Sequence, residues 1–196
     1  MSPERNILPG VSVRPGWLNC QQAKTLLDTL WRDLDWRQDP VQIFGRKVLQ
    51  PRLTAWCSDP EVVYTYSGLR LDPVPWHPSL SKLREKLARA LDLRFNSVLA
   101  NAYRTGSDAM GWHSDDEPEL GSRPSIASIS LGATRRFLVR PKRGQSKPRR
   151  STGIDLANGD LLLMEHDSQK DFQHCLARTR KPAGLRINLT FRNILA

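Results

Sequence analysis

The sequence predicts an α+β fold with a mainly β core, helices first and strands after. Three observations lead there. Apolar residues recur at helical spacing in two segments, both before residue 93. From there on, short β-prone segments follow one another with turn signals between them and no intervening helix, which suits a sandwich or barrel and not a parallel sheet. Near the C-terminus, GLRINLTFRNI (184–194) sets Arg186, Asn188, Thr190 and Arg192 at alternate positions. In a strand these face one side and Ile187, Leu189 and Phe191 the other. Two guanidiniums, an amide and a hydroxyl on one face make either an ordinary wet surface or a grip on a small dianion from inside a barrel.

Taken in order, QQAKTLLDTLWRDLDW (21–36) places Ala23, Leu26, Leu27, Leu30, Trp31 and Leu34 on one helical face. PSLSKLREKLARALD (78–92) does the same with Leu80, Leu83, Leu87, Ala90 and Leu91, and Pro78 opens its first turn. Both helices are expected to pack on a sheet. The strands are FNSVLANAYR, SIASISLGA, TRRFLVRP, DLLLME and LRINLTFR. After TRRFLVRP, PKRGQSKPRRSTG (141–153) is rich in Gly, Pro, Ser and basic residues, the composition of an exposed loop.

At 196 residues the chain is expected to form one domain, 1–196, with a core of its own. The net charge of +10 favours a polyanionic partner through counterion release. Cys20, Cys57 and Cys175 lie far apart and no CxxC occurs, so neither a zinc ribbon nor a disulfide framework is supported. MSPERNILPG holds no secretory apolar region, and no run of membrane length follows. The expected setting is therefore intracellular, cytoplasmic or nuclear, with no membrane partner and as a monomer.

The second informative stretch is GWHSDDEPEL (111–120), where His113 and Asp115 share a face if the segment is extended. His174 follows in DFQHCLA, just before the strand that bears the arginines. Two imidazoles and one carboxylate occupy one face of an octahedral metal and leave the other open, which suits non-haem Fe(II). Structural zinc would close its fourth position, and a hard cation would take mainly oxygens. His166, in LLLMEHDSQ, competes with His174 for the second imidazole position, and Asp116 and Glu117 are either ligands or solvated charges.

Together these segments resemble the AlkB family of Fe(II)- and 2-oxoglutarate-dependent nucleic-acid demethylases. The resemblance runs from about Phe44 onwards. It is carried by NAYR (101–104), WHSDDE (112–117), SISLGATRRF (128–137), GDLLLM (159–164) and RINLTFR (186–192), and it favours the branch that repairs alkylated DNA, duplex included. It implies a double-stranded β-helix, or jelly roll, over about 96–196, with about 1–95 forming N-terminal helices and a nucleotide-recognition lid. It implies Fe(II) ligated by His113, Asp115 and His174. His174 is favoured over His166 because the family's distal histidine follows an aromatic-x pair, here Phe172-Gln173 where Trp or Tyr is usual. Asn101, Tyr103, Arg186, Asn188, Thr190 and Arg192 would surround 2-oxoglutarate, with Arg186 on its distal carboxylate and Arg192 at the keto-acid end.

The implied activity is oxidative dealkylation of N-alkylated bases. Dioxygen and 2-oxoglutarate are consumed, the alkyl carbon is hydroxylated, and an aldehyde leaves. A base in a duplex must leave the stack to be reached. Tyr66 would stack on it opposite His113, Glu117 would hydrogen-bond its edge, and Phe44 would fill the gap in the duplex. Arg140, Lys142, Arg143, Lys147, Arg149 and Arg150 would contact phosphates, Arg178, Arg180 and Lys181 would extend that surface, and Trp56 and Trp76 would fill the lid core. Alkylated DNA, single- or double-stranded, is the expected partner, with RNA as a further one. Three competing expectations stand beside it: an oxygenase of the same fold acting on RNA, a protein or a metabolite; a non-enzymatic basic nucleic-acid-binding module; and a metal-dependent nuclease using Asp115, Asp116 and Glu117.

Overall fold

Two antiparallel sheets face each other, and the two long helices lie on the outer side of the larger one. In chain order the computed structural model has β1 (Arg5–Leu8), β2 (Val11–Arg14), α1 (Cys20–Asp33), β3 (Pro40–Ile43), β4 (Arg46–Leu49), β5 (Leu53–Ser58), β6 (Tyr64–Tyr66), β7 (Leu69–Leu71) and α2 (Pro78–Leu91). There follow β8 (Ser97–Tyr103), β9 (Met110–His113), a 3-10 turn (Pro118–Leu120), β10 (Ile126–Gly132), β11 (Arg135–Pro141), β12 (Thr152–Leu156), β13 (Leu161–Met164), α3 (Ser168–Asp171), β14 (Phe172–Leu176) and β15 (Arg186–Arg192). The structure describes residues 3–43, 46–66, 69–142 and 150–195, and the side chains of 41–47 and 64–71 lie outside that description. The larger sheet runs β1-β2-β13-β10-β15-β8-β5, the smaller β12-β11-β14-β9, and β3-β4 and β6-β7 form separate two-stranded ribbons. This is a jelly roll with helices packed outside it.

Helix α1 begins at a capping box, in which Asn19 Oδ1 accepts the Gln22 N–H at 2.8 Å and Gln22 Oε1 accepts the Asn19 N–H at 3.2 Å. It stops at Asp33, short of the periodic segment's end. The Trp36 indole N–H turns back onto the Leu30 and Trp31 carbonyls, each at 3.2 Å, and satisfies the last turn. Trp31, expected on the buried face, is 40% exposed and packs beside Trp36 instead. Helix α2 follows the sequence reading closely, with His77 as N-cap, Pro78 in the first turn and Asp92 as a left-handed C-cap.

Leu30, Leu80 and Leu87 are fully buried against Ile129, Ile187, Leu189 and Phe191 of the larger sheet. Each such side chain contributes about 1.5–3 kcal/mol of burial. A second apolar cluster, with Val11, Val13, Ile126, Val139, Leu156 and Leu162, lies between the sheets and closes one side of the roll. Gly132 ends β10 at φ +82°, where a Cβ would collide with the Leu185 carbonyl just as β15 begins, so a glycine is required.

The N-terminal half holds the two expected helices and also contributes strands to the roll. β1 and β2 extend the larger sheet beyond β13, and β5 pairs with β8 along its whole length. VSVR is too short for its alternation to stand out, and its place is set by pairing with Leu161–Met164 more than a hundred residues later.

Candidate metal and dicarboxylate site

The histidines are placed by strand register. β9 and β14 are antiparallel neighbours, and His113 and His174 are direct partners across them. Both rings point into the roll, 4.2 Å apart and 66° between planes, with Phe137 stacked on His174 at 5.3 Å. The Gly111 carbonyl lies 2.8 Å from His113 Nδ1. A carbonyl only accepts, so Nδ1 carries the proton and Nε2 keeps its lone pair for a metal.

Asp115 lies just past the end of β9 and is 1% exposed. Its Oδ2 accepts from Arg192 Nη2 at 2.9 Å, and its backbone N–H donates to Gln169 Oε1 at 2.9 Å. Oδ1 is buried with no hydrogen-bond partner among the described residues and faces His113 Nε2 at 3.7 Å. One ligand atom from each of His113, Asp115 and His174 lies within 4.8 Å of the others.

The electrostatics favour a cation there. Burial pushes His174 down to about 3, reinforced by His113 and opposed by Asp115. Burial lowers His113 as well, against the pull of Asp115. Burial would raise the Asp115 carboxyl, but Arg192 first, then the two imidazoles, hold it below the usual carboxylate range. At neutral pH the site is two neutral imidazoles and one carboxylate with an orphaned oxygen, a donor set that fits Fe(II). His166 is exposed in a turn at φ +55° and lies outside this group.

The other end of the cavity belongs to the larger sheet. Arg186, Asn188, Thr190 and Arg192 all face into it, opposite the apolar alternates that pack on the helices. Arg186 pairs across to Tyr103 and Asn188 to Asn101, so four polar side chains converge from two strands. Asn188 Oδ1 accepts from Arg186 Nη2 at 2.9 Å and from Ser128 Oγ at 3.1 Å, and its amide donates to Thr190 Oγ1 at 2.8 Å.

Arg186 is 1% exposed, and its Nη2 also reaches Ser130 Oγ at 3.0 Å while Tyr103 covers it at 5.3 Å. Among the described residues its Nε has no hydrogen-bond partner and no carboxylate pairs with it. Burial lowers its pKa to about 10. A buried guanidinium without a counter-charge is unfavourable, and a ligand carboxylate relieves it. The fit to a dicarboxylate is good.

Arg192 was expected at the keto-acid end. It lines the same cavity, but its guanidinium is turned to Asp115, 77 residues earlier in the chain. Sequence reasoning missed four contributors. Arg52 Nε donates to Asn101 Oδ1 at 2.7 Å, Gln169 holds the Asp115 backbone, and Ser128 and Ser130 join the polar ladder. Only the serines had a local signal, their alternation with Ile129 in SISLG.

The substrate-facing expectations are placed unevenly. Glu117 is half-buried two residues after Asp115 and precedes the 3-10 turn. Tyr66 ends β6 with its side chain outside the described set, and Phe44, Arg143, Lys147 and Arg149 lie outside the described residues. Arg140 lies over the Trp112 ring at 4.0 Å and donates to Gln173 at 3.1 Å; Lys142 pairs with Asp116 at 2.7 Å; Arg150 is exposed. Arg178, Arg180 and Lys181 are exposed beyond the Leu176 end of β14, whereas Lys142 follows Pro141, which pairs with Phe172 at the other end. Trp56 packs with Leu99 and Leu120, and Trp76 stacks on Phe191 while donating to Asp59 at 2.7 Å.

Fold and site together define a jelly-roll protein arranged to hold one divalent metal beside a carboxylate-binding cleft. The 2OG-Fe(II) oxygenase superfamily matches residues 10–192. Alpha-ketoglutarate-dependent dioxygenase alkB homolog 3 from Homo sapiens is 40% identical over 190 residues, covering 94% of this chain and 66% of that protein. DNA oxidative demethylase ALKBH2 from Mus musculus is 38% identical over 184 residues, covering 88% and 77%. A solved structure described as "The structure of OsALKBH1" superposes with a TM-score of 0.71 at 19% identity over 97% of this chain and 100% of that one, which bears on the fold. The chain spans 66% of the length of its human alkB homolog 3 relative. It belongs to the AlkB family of the 2OG-Fe(II) oxygenase superfamily.

Proposed function

We propose that this chain is an Fe(II)- and 2-oxoglutarate-dependent oxygenase that oxidatively removes alkyl groups from bases in DNA. The observation that carries the reading is the buried His113, Asp115 and His174 cluster sharing one cavity with Arg186, a buried cation that no carboxylate of the described residues pairs with. When bound, Fe(II) and 2-oxoglutarate supply the activation of dioxygen that hydroxylates an alkyl carbon on a base nitrogen, after which an aldehyde and the bare base are released.

In this reading His113 Nε2, Asp115 Oδ1 and His174 hold the metal. Arg186 takes the distal carboxylate under the Tyr103 ring, and Asn101 and Asn188 flank the cosubstrate. Because Thr190 Oγ1 already accepts from Asn188, its hydroxyl proton is available to a carboxylate. Arg192 keeps Asp115 ionised and its carboxylate oriented, with one oxygen taken and the other aimed at the histidines. Leu99, Phe137 and Leu176 form the apolar wall that keeps stray water from the reacting carbon.

The net charge of +10 supports a nucleic-acid substrate, and relatives named DNA oxidative demethylase support DNA. Tyr66 and Glu117 would read the extruded base, Phe44 would fill the duplex, and the basic residues of 140–150 would meet phosphates. RNA is a further substrate of the same chemistry. The protein would act within the cell, as a monomer and as one catalytic unit over 1–196.

The test supplies Fe(II), 2-oxoglutarate and air with methylated oligonucleotides as single-stranded DNA, duplex DNA and RNA. Succinate and aldehyde should appear in step with base repair, faster on DNA. Repair of RNA alone would move the substrate to RNA, and repair of none would end the dealkylase reading.

A further inference from the structure

His113 and His174 are strand residues held by the ladder, but Asp115 is not. It lies two residues past the end of β9, so no neighbouring strand satisfies its buried N–H. That N–H donates to Gln169 Oε1 at 2.9 Å, and Gln169 Nε2 donates to Ser168 Oγ at 3.3 Å. Both α3 residues are buried, and α3 runs directly into β14, which places Gln169 five positions before His174. A neighbouring stitch, Ser114 Oγ to the Phe172 carbonyl at 2.8 Å, ties the same two segments.

We infer that Gln169 is a positioning residue of the metal site: its side-chain amide fixes the main chain of Asp115 against β14, so that the carboxylate and both imidazoles keep one common centre. The inference rests on the triad being the metal site. Without the acceptor, the Asp115 N–H is buried and unpaired, and the segment is drawn towards water. The carboxylate, still tied to Arg192, then follows β15 and not the histidines. Contacts that orient metal ligands are typically worth 10–100-fold in metal affinity.

The experiment is Co(II) binding, read by visible absorption, for the native chain, Gln169→Met and Gln169→Glu. Methionine matches glutamine in length but offers no comparable acceptor, so no cavity opens; glutamate keeps an oxygen where the Asp115 N–H points. Gln169→Met should bind Co(II) at least about tenfold more weakly and Gln169→Glu within about threefold of native. Hydrogen exchange should quicken in 112–117 of Gln169→Met and stay unchanged in β10. Gln169→Met within about twofold of native, or Gln169→Glu as weak as Gln169→Met, would overturn the role of Gln169 and leave the triad standing. A native chain that fails to bind Co(II), or whose binding survives His113→Ala, would instead overturn the triad.

Discussion

The two sheets serve one cavity by different means. The larger sheet supplies Arg186, Asn188, Thr190, Asn101 and Tyr103 from regular, fully paired strands, so parity and register alone aim them inward. The smaller sheet supplies His113 and His174 as direct partners across β9 and β14, whose register shifts between His174 and Leu176, and the third donor, Asp115, stands beyond the ladder. It is held by side chains from two other elements, Arg192 of β15 on its carboxylate and Gln169 of α3 on its backbone. The proposed cosubstrate end is thus built from backbone pairing, and the proposed metal end closes only when distant side chains meet.

The largest expected effect separates a ladder-held ligand from Asp115. His113→Ala should lower succinate formation by at least about 100-fold, since a ligand is lost outright, while urea unfolding changes little because the β9–β14 pairing remains. Asp115→Ala should lose as much activity and also about 3–5 kcal/mol of stability, because Arg192 stays buried without that carboxylate. Equal unfolding curves for the two variants would erase the distinction. Next, Arg186→Met should make the cosubstrate-free protein more stable by about 1–4 kcal/mol, since an uncompensated buried charge is replaced by an apolar chain. The native chain should gain about 2.7 kcal/mol at a 2-oxoglutarate concentration 100 times Kd, and the variant should gain none. Thermal melts with and without 2-oxoglutarate check both.

This difference also explains what was legible in the sequence. RINLTFR announces its polar face by strict alternation, and WHSDDE and DFQHCLA offer His113 and His174 once they are read as strands, whereas Asp115 falls beyond the end of its strand. Helix α2 was readable because its leucine spacing and Pro78 agree locally. The partners of Arg192, Asn101 and Asp115 were not. Arg192 and Asp115 lie 77 residues apart, Arg52 and Asn101 49, and Gln169 and Asp115 54, and nothing in a single sequence marks such pairs. The short strands β1 and β2 were missed for the same reason, since their alternation is defined by what they pair with.

A smaller effect follows from the buried imidazoles. Unfolded histidine titrates near 6.5, whereas folded His174 is held to about 3 by burial, and His113 is lowered too. Between those values the unfolded chain binds more protons, so stability rises with pH there and is lost as pH falls below about 6.5. Each such histidine contributes a slope of up to about 1.4 kcal/mol per pH unit. Asp115, whose folded value is depressed, adds a loss only below about pH 4. Urea unfolding of the metal-free protein at pH 5, 6 and 7 should show this slope and His174→Gln a shallower one. Identical slopes would mean that His174 titrates alike in both states.

The smallest effect probes the outer edge of the same segment. Lys142 pairs with Asp116, one residue after Asp115, but that carboxylate is exposed, and such pairs contribute about 0–1 kcal/mol. Lys142→Ala should therefore leave unfolding and Co(II) affinity as they are in the native chain. It should still reduce the salt dependence of DNA binding by roughly one charge, measured as the slope of log K against log salt. A Lys142→Ala chain that lost Co(II) as Gln169→Met is expected to would mean that Asp115 is held from the surface. The buried contacts from Gln169 and Arg192 would then not be what closes the metal end.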